Sequence, residues 1–371
     1  MKLRPSLSIA RRNMLAGRVR TLFSVAGVAI ATLLLAFVVA LYRGWNEETV
    51  AYIEDTKADL WVVGNGADSF FTPSIMFTPA FYNVDGLDGV DTVSRLIGKP
   101  MKLRTEKDGW DSYVIGFEPG KPGGPVGIVK GSGNPRLGEI VIDDVLAKTS
   151  GLDVGDEVRA ALRTLKVVGI SRGGNLVLAQ LSFVTYEEAR ILLSNDAIIN
   201  FLLVKADPGQ SSAVADRVKT QLKGVDAFEA DAFAANSREV LQRSILPILL
   251  VIVIMAVLVG TIVVGLTVYT AVVEKEREYG ILKAVGVPGR GLVRVVLEQS
   301  FVCGALGFAL GIVLALVVAE IAQMLLPQVS TSFRASDIAL ILGATALMSL
   351  VASIIPTMRV ARVDTLSVFK A

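Results

Sequence analysis

The chain has 371 residues, 52% of them apolar and 19% charged, with a mean hydropathy of +0.57 and a formal net charge of +2. That is too apolar for an ordinary soluble domain and too charged for a chain lying wholly in a bilayer. With no His and a single Cys, an intrachain disulfide, a His-based zinc or haem site and a Cys/His catalytic pair are all excluded.

The first 21 residues carry Lys2, Arg4, Arg11, Arg12, Arg18 and Arg20 and no acid. Their apolar residues fall at helical spacing over 7–23, which predicts a basic amphipathic segment on the inner leaflet. An uncharged run at 22–42 follows, and three others stand at 244–273, 299–319 and 338–358. About 20 apolar residues suffice to cross a bilayer core as helix, so the chain reads as four spans. A cleaved leader ending near residue 40 is the rival reading. An overlong polar lead and an overlong apolar run count against it.

Between the first two spans lies an insertion, 43–243, with 22 basic and 28 acidic residues. Its net charge of about −6 argues against nucleic-acid binding. The second run is 30 residues long, about 45 Å as helix against about 30 Å of hydrocarbon, so helical stalks are expected at both ends of the insertion. Within it, 59–65 and 112–119 read as strands. Residues 138–172 read as strand, short helix from Asp143, turn and two strands, a small barrel-like unit. Thr185 caps a helix over 185–193 with Glu188 at the capping-box position, and a strand and a helix ended by Gly224 follow. This order predicts an α+β domain. The Gly/Pro-rich 118–136 reads as a functional or disordered loop. The aromatic stretch 70–81 is expected to pack inside the domain, the alternative being a loop that faces lipid or substrate. Asp143–Asp144 and Asp153–Asp156 read as cap and turn acids, and no nucleophile–base–acid spacing or metal cluster supports a membrane-anchored enzyme.

In the third span Gly304, Gly307 and Gly311 predict close helix approach, within the chain in preference to a dimer seam. Cys303 reads as packing. Pro356 is expected to kink the exit of the fourth span. The basic residues gather in 1–21, in 274–298 and in 359–371, whereas the loop between the last two spans has only Arg334. The positive-inside rule then puts both termini and 274–298 in the cytoplasm, in the cell (inner or plasma) membrane, with the large domain outside. The predicted order is a cytoplasmic segment 1–21, spans at 22–42, 244–273, 299–326 and 338–358, the domain 43–243, a cytoplasmic loop 274–298, a short external loop 327–337 and a tail 359–371.

The loop "EKEREYGILKAVGVPGRGLVRVVLE" carries nine charges, a break at Pro288–Gly289, and Leu292, Val295 and Val296 at helical spacing. It predicts a short helix over 287–297 across the inner face, suited to a cytoplasmic partner. Leu292, Val295 and Val296 would dock, edged by Arg290 and Arg294. This loop resembles the signature of the FtsX/MacB-like ABC permeases, through Glu278, Gly280, Leu282, Lys283, Ala284, Gly286 and Glu298. Tyr279 stands where that family usually has Ile, and Lys275 where it usually has Arg. The start of the first span, the tail "PTMRVARVDTLSVFKA" (with Thr365 for the family's Pro) and residues 138–171 are also similar to it.

The resemblance implies a four-span membrane domain with an extracytoplasmic MacB-like α+β core inserted between spans 1 and 2. It implies the permease subunit of an ABC transporter, paired with a second copy or a paralogue and with a separate ATPase. The chain has no Gly-x-x-x-x-Gly-Lys-Ser/Thr loop, so ATP would be held by that partner and the chain itself would need no cofactor. The coupling residues implied or suggested are Glu274, Arg277, Glu278, Gly280, Lys283, Gly286, Pro288, Arg290, Leu292, Arg294, Val295, Val296 and Glu298. Export or extraction of an amphiphilic compound by mechanotransmission is the expected function. An FtsX-like regulator of an extracytoplasmic enzyme such as a cell-wall hydrolase is the alternative. A membrane-fusion-type protein is a further partner that the resemblance allows.

Overall fold

The computed structural model describes residues 18–176, 180–194, 198–285 and 287–361. Most of the basic amphipathic segment, Gly286 and the tail from 362 lie outside the described residues. The chain divides into two compact units. One comprises the chain to Arg43, Pro247–Ala322 and the chain from Thr331; the other is Gly44–Leu246 with Gln323–Ser330.

Among the described residues, four helices of the first unit have the length and composition to cross a membrane. They belong to α1 (Arg18–Asp55), α6 (Ala230–Glu274), α8 (Gly289–Leu325) and α9 (Ala335–Ala352), the last followed by α10 (Ile354–Ala361). The fourth run breaks at Ser353, and Pro356 sits in the first turn of α10, where its missing N–H costs little. Close approach comes from glycine. A Cβ on Gly304 would stand 2.5 Å from Ser349 Oγ, and one on Gly311 2.6 Å from Thr32 Cβ; Gly307 would strike Val28. The glycine stripe thus seats α8 on α1 and α9 within one chain, as small residues do between membrane helices. Cys303 is buried on the same face. At one end of this unit Arg43 grips Asp337 with two hydrogen bonds, of 2.6 and 3.0 Å.

The second unit is an α+β domain. Its remaining elements are β1 (Leu60–Gly64), β2 (Met76–Phe77), α2 (Thr78–Asp85), β3 (Val90–Arg104), β4 (Gly109–Phe117), β5 (Ile128–Gly131), β6 (Glu139–Asp143), α3 (Asp144–Ser150), β7 (Glu157–Ala160), β8 (Arg163–Ser171), β9 (Gln180–Thr185), α4 (Tyr186–Leu193), β10 (Ile198–Ile199), β11 (Phe201–Ala206), α5 (Ser211–Gln221) and β12 (Val225–Glu229). The strand order is β12-β1-β11-β3-β4-β9-β6-β8-β5, and β7 joins β3 to β8. Strands β3, β4, β9, β6, β8 and β7 therefore close a ring. The barrel read over 138–172 is real, but half of its wall comes from β3, β4 and β9. The 15-residue β3 serves both parts. Its first half pairs with β11 in the open sheet, and its second half with β4 in the ring.

Local chemistry fixes the helix starts. Asp143 caps α3 by accepting from the Val145 N–H at 2.9 Å. Thr185 Oγ1 accepts from the Glu188 N–H at 3.1 Å, which is half of a capping box. The other half is absent, because the Glu188 carboxylate turns to the Gly138 N–H (2.7 Å) and Arg163 (2.7 Å). The stretch 118–136 is an ordered loop containing β5, tied down where Tyr52 Oη donates to the Gly123 carbonyl at 2.7 Å.

The aromatic stretch divides. Phe70 is buried and stacks on Phe201 with centroids 5.3 Å apart, and Met76 is buried, whereas Phe71, Ile75 and Phe77 are exposed. Packing inside the domain therefore holds for only part of it. The outer parts of α1 and α6 are joined by Gln242–Asn46 (3.2 Å) and Arg238–Glu54 (3.3 Å).

Candidate coupling site

α6 ends at Glu274, and a short helix, α7 (Glu276–Ala284), follows. Beyond it Pro288 disfavours α-helical backbone at Val287, and α8 then starts at Gly289. The expected separate helix over 287–297 is corrected here. The isolated helix is α7, and 289–297 is the first part of a 37-residue helix that runs on into the third span. No proline stands between Gly289 and Leu325, so nothing ends the helix early.

The expected docking face is corrected with it. Leu292, Val295 and Val296 are buried, and Leu292 and Val296 belong to one buried apolar cluster of the same unit, with Tyr279, Val268, Val272, Met348 and Val360 among its members. They hold α8 to its own neighbours and present no face to a partner. Gly280 is likewise buried, beside Tyr279.

The remaining residues of the expected coupling set are exposed or pinned in place. Glu274, Arg277, Glu278, Pro288, Arg290 and Arg294 are exposed. Lys283 Nζ donates to the Ala361 carbonyl at 3.4 Å, and Arg359 of α10 pairs with Glu276 at 3.1 Å. Lys275 pairs with Glu278 at 3.5 Å, and Arg294 with Glu298 at 2.9 Å. The Val287 N–H donates to the Leu282 carbonyl at 3.0 Å. These links fasten α7 to α10 and to the turn before α8, and Tyr279 of α7 shares a buried apolar cluster with Leu292 and Val296 of α8, so the turn is a braced element.

The turn exposes a set of apolar residues, of which the sequence reading singled out Ala284 and Pro288 but passed over Ile281 and Val285. Val285 is 81% exposed and Ile281 47%, and Ala284 and Pro288 are exposed beside them. Arg277, Ile281, Ala284 and Val285 recur at i, i+4, i+7 and i+8, one face of a helix. That periodicity was the signal available in the sequence.

The sequence profile of the FtsX-like permease C-terminal domain matches residues 250–365, and that of the MacB-like periplasmic core domain matches residues 21–221. The chain belongs to the FtsX/MacB-like permeases of the ABC transporter family, and it is a multi-pass membrane protein with a large extracytoplasmic domain. It is similar to an uncharacterized ABC transporter permease of Mycobacterium bovis, at 24% identity over 360 residues, covering 93% of this chain and 94% of that one. Permeases of two Mycobacterium tuberculosis strains match at the same 24% identity and the same coverage of 93% and 94%.

Among solved structures, the periplasmic region of MacB from Actinobacillus actinomycetemcomitans matches with a TM-score of 0.37 and 11% identity, over 47% of this chain and 89% of that one. The extracellular domain of the noncanonic ABC-type transporter YknZ from Gram-positive bacteria matches with a TM-score of 0.36 and 14% identity, over 46% of this chain and 99% of that one.

Proposed function

We propose that the chain is the permease subunit through which a separate cytoplasmic ATPase drives its extracytoplasmic domain, exporting or extracting an amphiphilic compound by mechanotransmission. In this reading both termini and α7 face the cytoplasm, and the permease works as a pair, with a second copy or a paralogue. The observation that carries it is the braced turn: an apolar set, Ile281, Ala284, Val285 and Pro288, edged by Arg277 and Arg290 and fixed to α10 and α8. A docking element has to be both exposed and stiff for a partner's motion to pass through it.

An amphiphilic substrate is favoured over a regulatory role by an apolar crevice of about 500 Å³ between α1 and α6. Phe23, Gly27, Ile30, Met255 and Val259 help line it. A crevice of that size within the membrane unit suits an acyl or other apolar chain.

The test is copurification with the cognate ATPase and hydrolysis assays in nanodiscs. Val285→Asp is expected to lose on the order of 2 kcal/mol of association, as central residues of docking surfaces do. Arg290→Ala, at the edge, should lose less and change mainly the salt dependence. Wild-type association by Val285→Asp, with the variant folded, would remove the turn as the docking element.

A further inference from the structure

The barrel carries a groove of about 1210 Å³ between the β3–β4 turn and the β7–β8 turn, with the C-terminal end of α4 at its side. Five cations line it: Lys99, Lys102, Arg104, Lys107 and Arg159. The acids in the lining are Glu106 and Asp108, so the groove carries about three positive charges on a domain whose own net charge is about −6. All five cations are exposed. Among the described residues none of them holds a carboxylate, whereas Arg95, Lys121, Lys130, Lys148, Arg163 and Arg190 of the same domain each do.

The groove also has an apolar knob. Leu162 is 100% exposed. It sits at the tip of the β7–β8 hairpin beside Ala161, whose φ of +51° is the left-handed region where a glycine would be relaxed. A two-residue hairpin needs neither a leucine nor an alanine at that tip. A bound partner that covered Leu162 would take its apolar surface out of water, whereas the strain at Ala161 would be unaffected.

We propose that this groove binds an extended acidic segment of a partner protein on the same side of the membrane, its carboxylates meeting the five cations and an apolar side chain covering Leu162. The spacing favours a polypeptide over a compact phosphate. Lys99 to Arg104 spans about 17 Å along β3 at strand rise, too long for one phosphate group. The inference stands apart from the coupling reading, since no residue of α7 or α8 enters it.

The experiment uses the full chain in nanodiscs of zwitterionic lipid and fluorescence anisotropy of a labelled synthetic peptide rich in glutamate and leucine. Saturable binding that weakens with salt is expected, with none to the glutamine counterpart. Lys102→Glu with Arg104→Glu should weaken binding about tenfold or more, as loss and reversal of two exposed pairs would. Leu162→Ser should weaken it several-fold. Lys57→Glu with Lys223→Glu, exposed cations outside the groove, should leave it unchanged. If the double reversal fails to fold by its melting curve, Lys102→Gln with Arg104→Gln carries the same test with a smaller expected loss. Absence of peptide binding, wild-type binding by the groove variants, or equal weakening by the control pair would each overturn the proposal. So would inorganic polyphosphate binding more tightly than the peptide and indifferent to Leu162→Ser.

Discussion

Asp143 shows how a residue that caps a helix can also set a pH response. It is buried and accepts from the Val145 N–H at 2.9 Å and the Gly174 N–H at 3.0 Å. Burial pushes its carboxyl up to about 7, the negative charges of Asp144 and Glu48 add to the rise, and the two N–H donors oppose it. Arg172, 3.8 Å from Asp144, and Lys148, 2.8 Å from it, lie at the open side of this acid pair. A carboxyl that titrates higher folded than unfolded favours the folded state when protonated. Its contribution is therefore full below about pH 4 and lost as pH rises through about 7. The extracytoplasmic domain is expected to melt a few degrees lower at pH 8 than at pH 5 on this account. Asp143→Asn, which keeps the acceptor to Val145, should flatten that difference; an unchanged pH profile in differential scanning fluorimetry would rule the assignment out. Leu292 belongs at this scale as well. Leu292→Asp puts a charge into the buried apolar cluster that Leu292 shares with Tyr279 and Val296, so it should lower the melting temperature of the detergent-solubilised chain, where Val285→Asp should not.

Among the elements, α8 depends on its glycine stripe and the barrel on its shortest strand. Gly307→Leu would drive a side chain into Val28 and the Val25 carbonyl. It should cost on the order of 1–3 kcal/mol of helix packing, seen as a lower melting temperature and earlier proteolysis. Strand β7 meets β3 through the pairs Leu103↔Ala160 and Arg104↔Arg159, while β3 and β4 share eight pairs. The β6–β9 seam is as short, with two pairs, but β7 is the shortest strand of the ring, and amides of 157–160 should exchange with deuterium before those of β4 and β9. The spans were legible because a bilayer demands length and apolarity and little else. The ring was legible only at β6, β7 and β8, since the other half of its wall depends on which distant strands pair, and no local pattern encodes that. The candidate coupling segment was half legible. Pro288 marked the break, but Leu292, Val296, Ser300, Cys303, Gly307 and Gly311 form one stripe at spacings of three and four residues, continuous with the span. Following that stripe past Glu298 would have assigned Leu292 and Val296 to the bundle interior and left Ile281 and Val285 to face outward.

For the whole molecule, topology and energy supply are the tests. In a Cys303→Ser background, Lys130→Cys and Arg290→Cys should be labelled from opposite sides of the membrane; labelling of both from one side of intact cells would end the four-span arrangement. The purified chain alone is expected to hydrolyse no ATP, which sustained hydrolysis free of a copurifying ATPase would contradict. The way the chain enters its extracytoplasmic domain has a mechanical consequence. α1 ends at Asp55 and β1 begins at Leu60, while β12 ends at Glu229 and α6 begins at Ala230. Because Leu60 pairs with Glu229, both connections reach the same rung of the same ladder. That rung is reinforced by the Ala230 N–H on the Asp59 carbonyl at 3.0 Å, by the Ala206 N–H on Asp59 Oδ2 at 3.0 Å and by Phe233 stacked on Trp61 at 4.8 Å. If the two helix ends move in step, the domain rides on them as a rigid load and the ladder bears no tension. If they part, tension falls on one rung at a time, the unzipping direction in which a pair of strands is weakest. The fold is built to carry a shared displacement and to yield to a differential one.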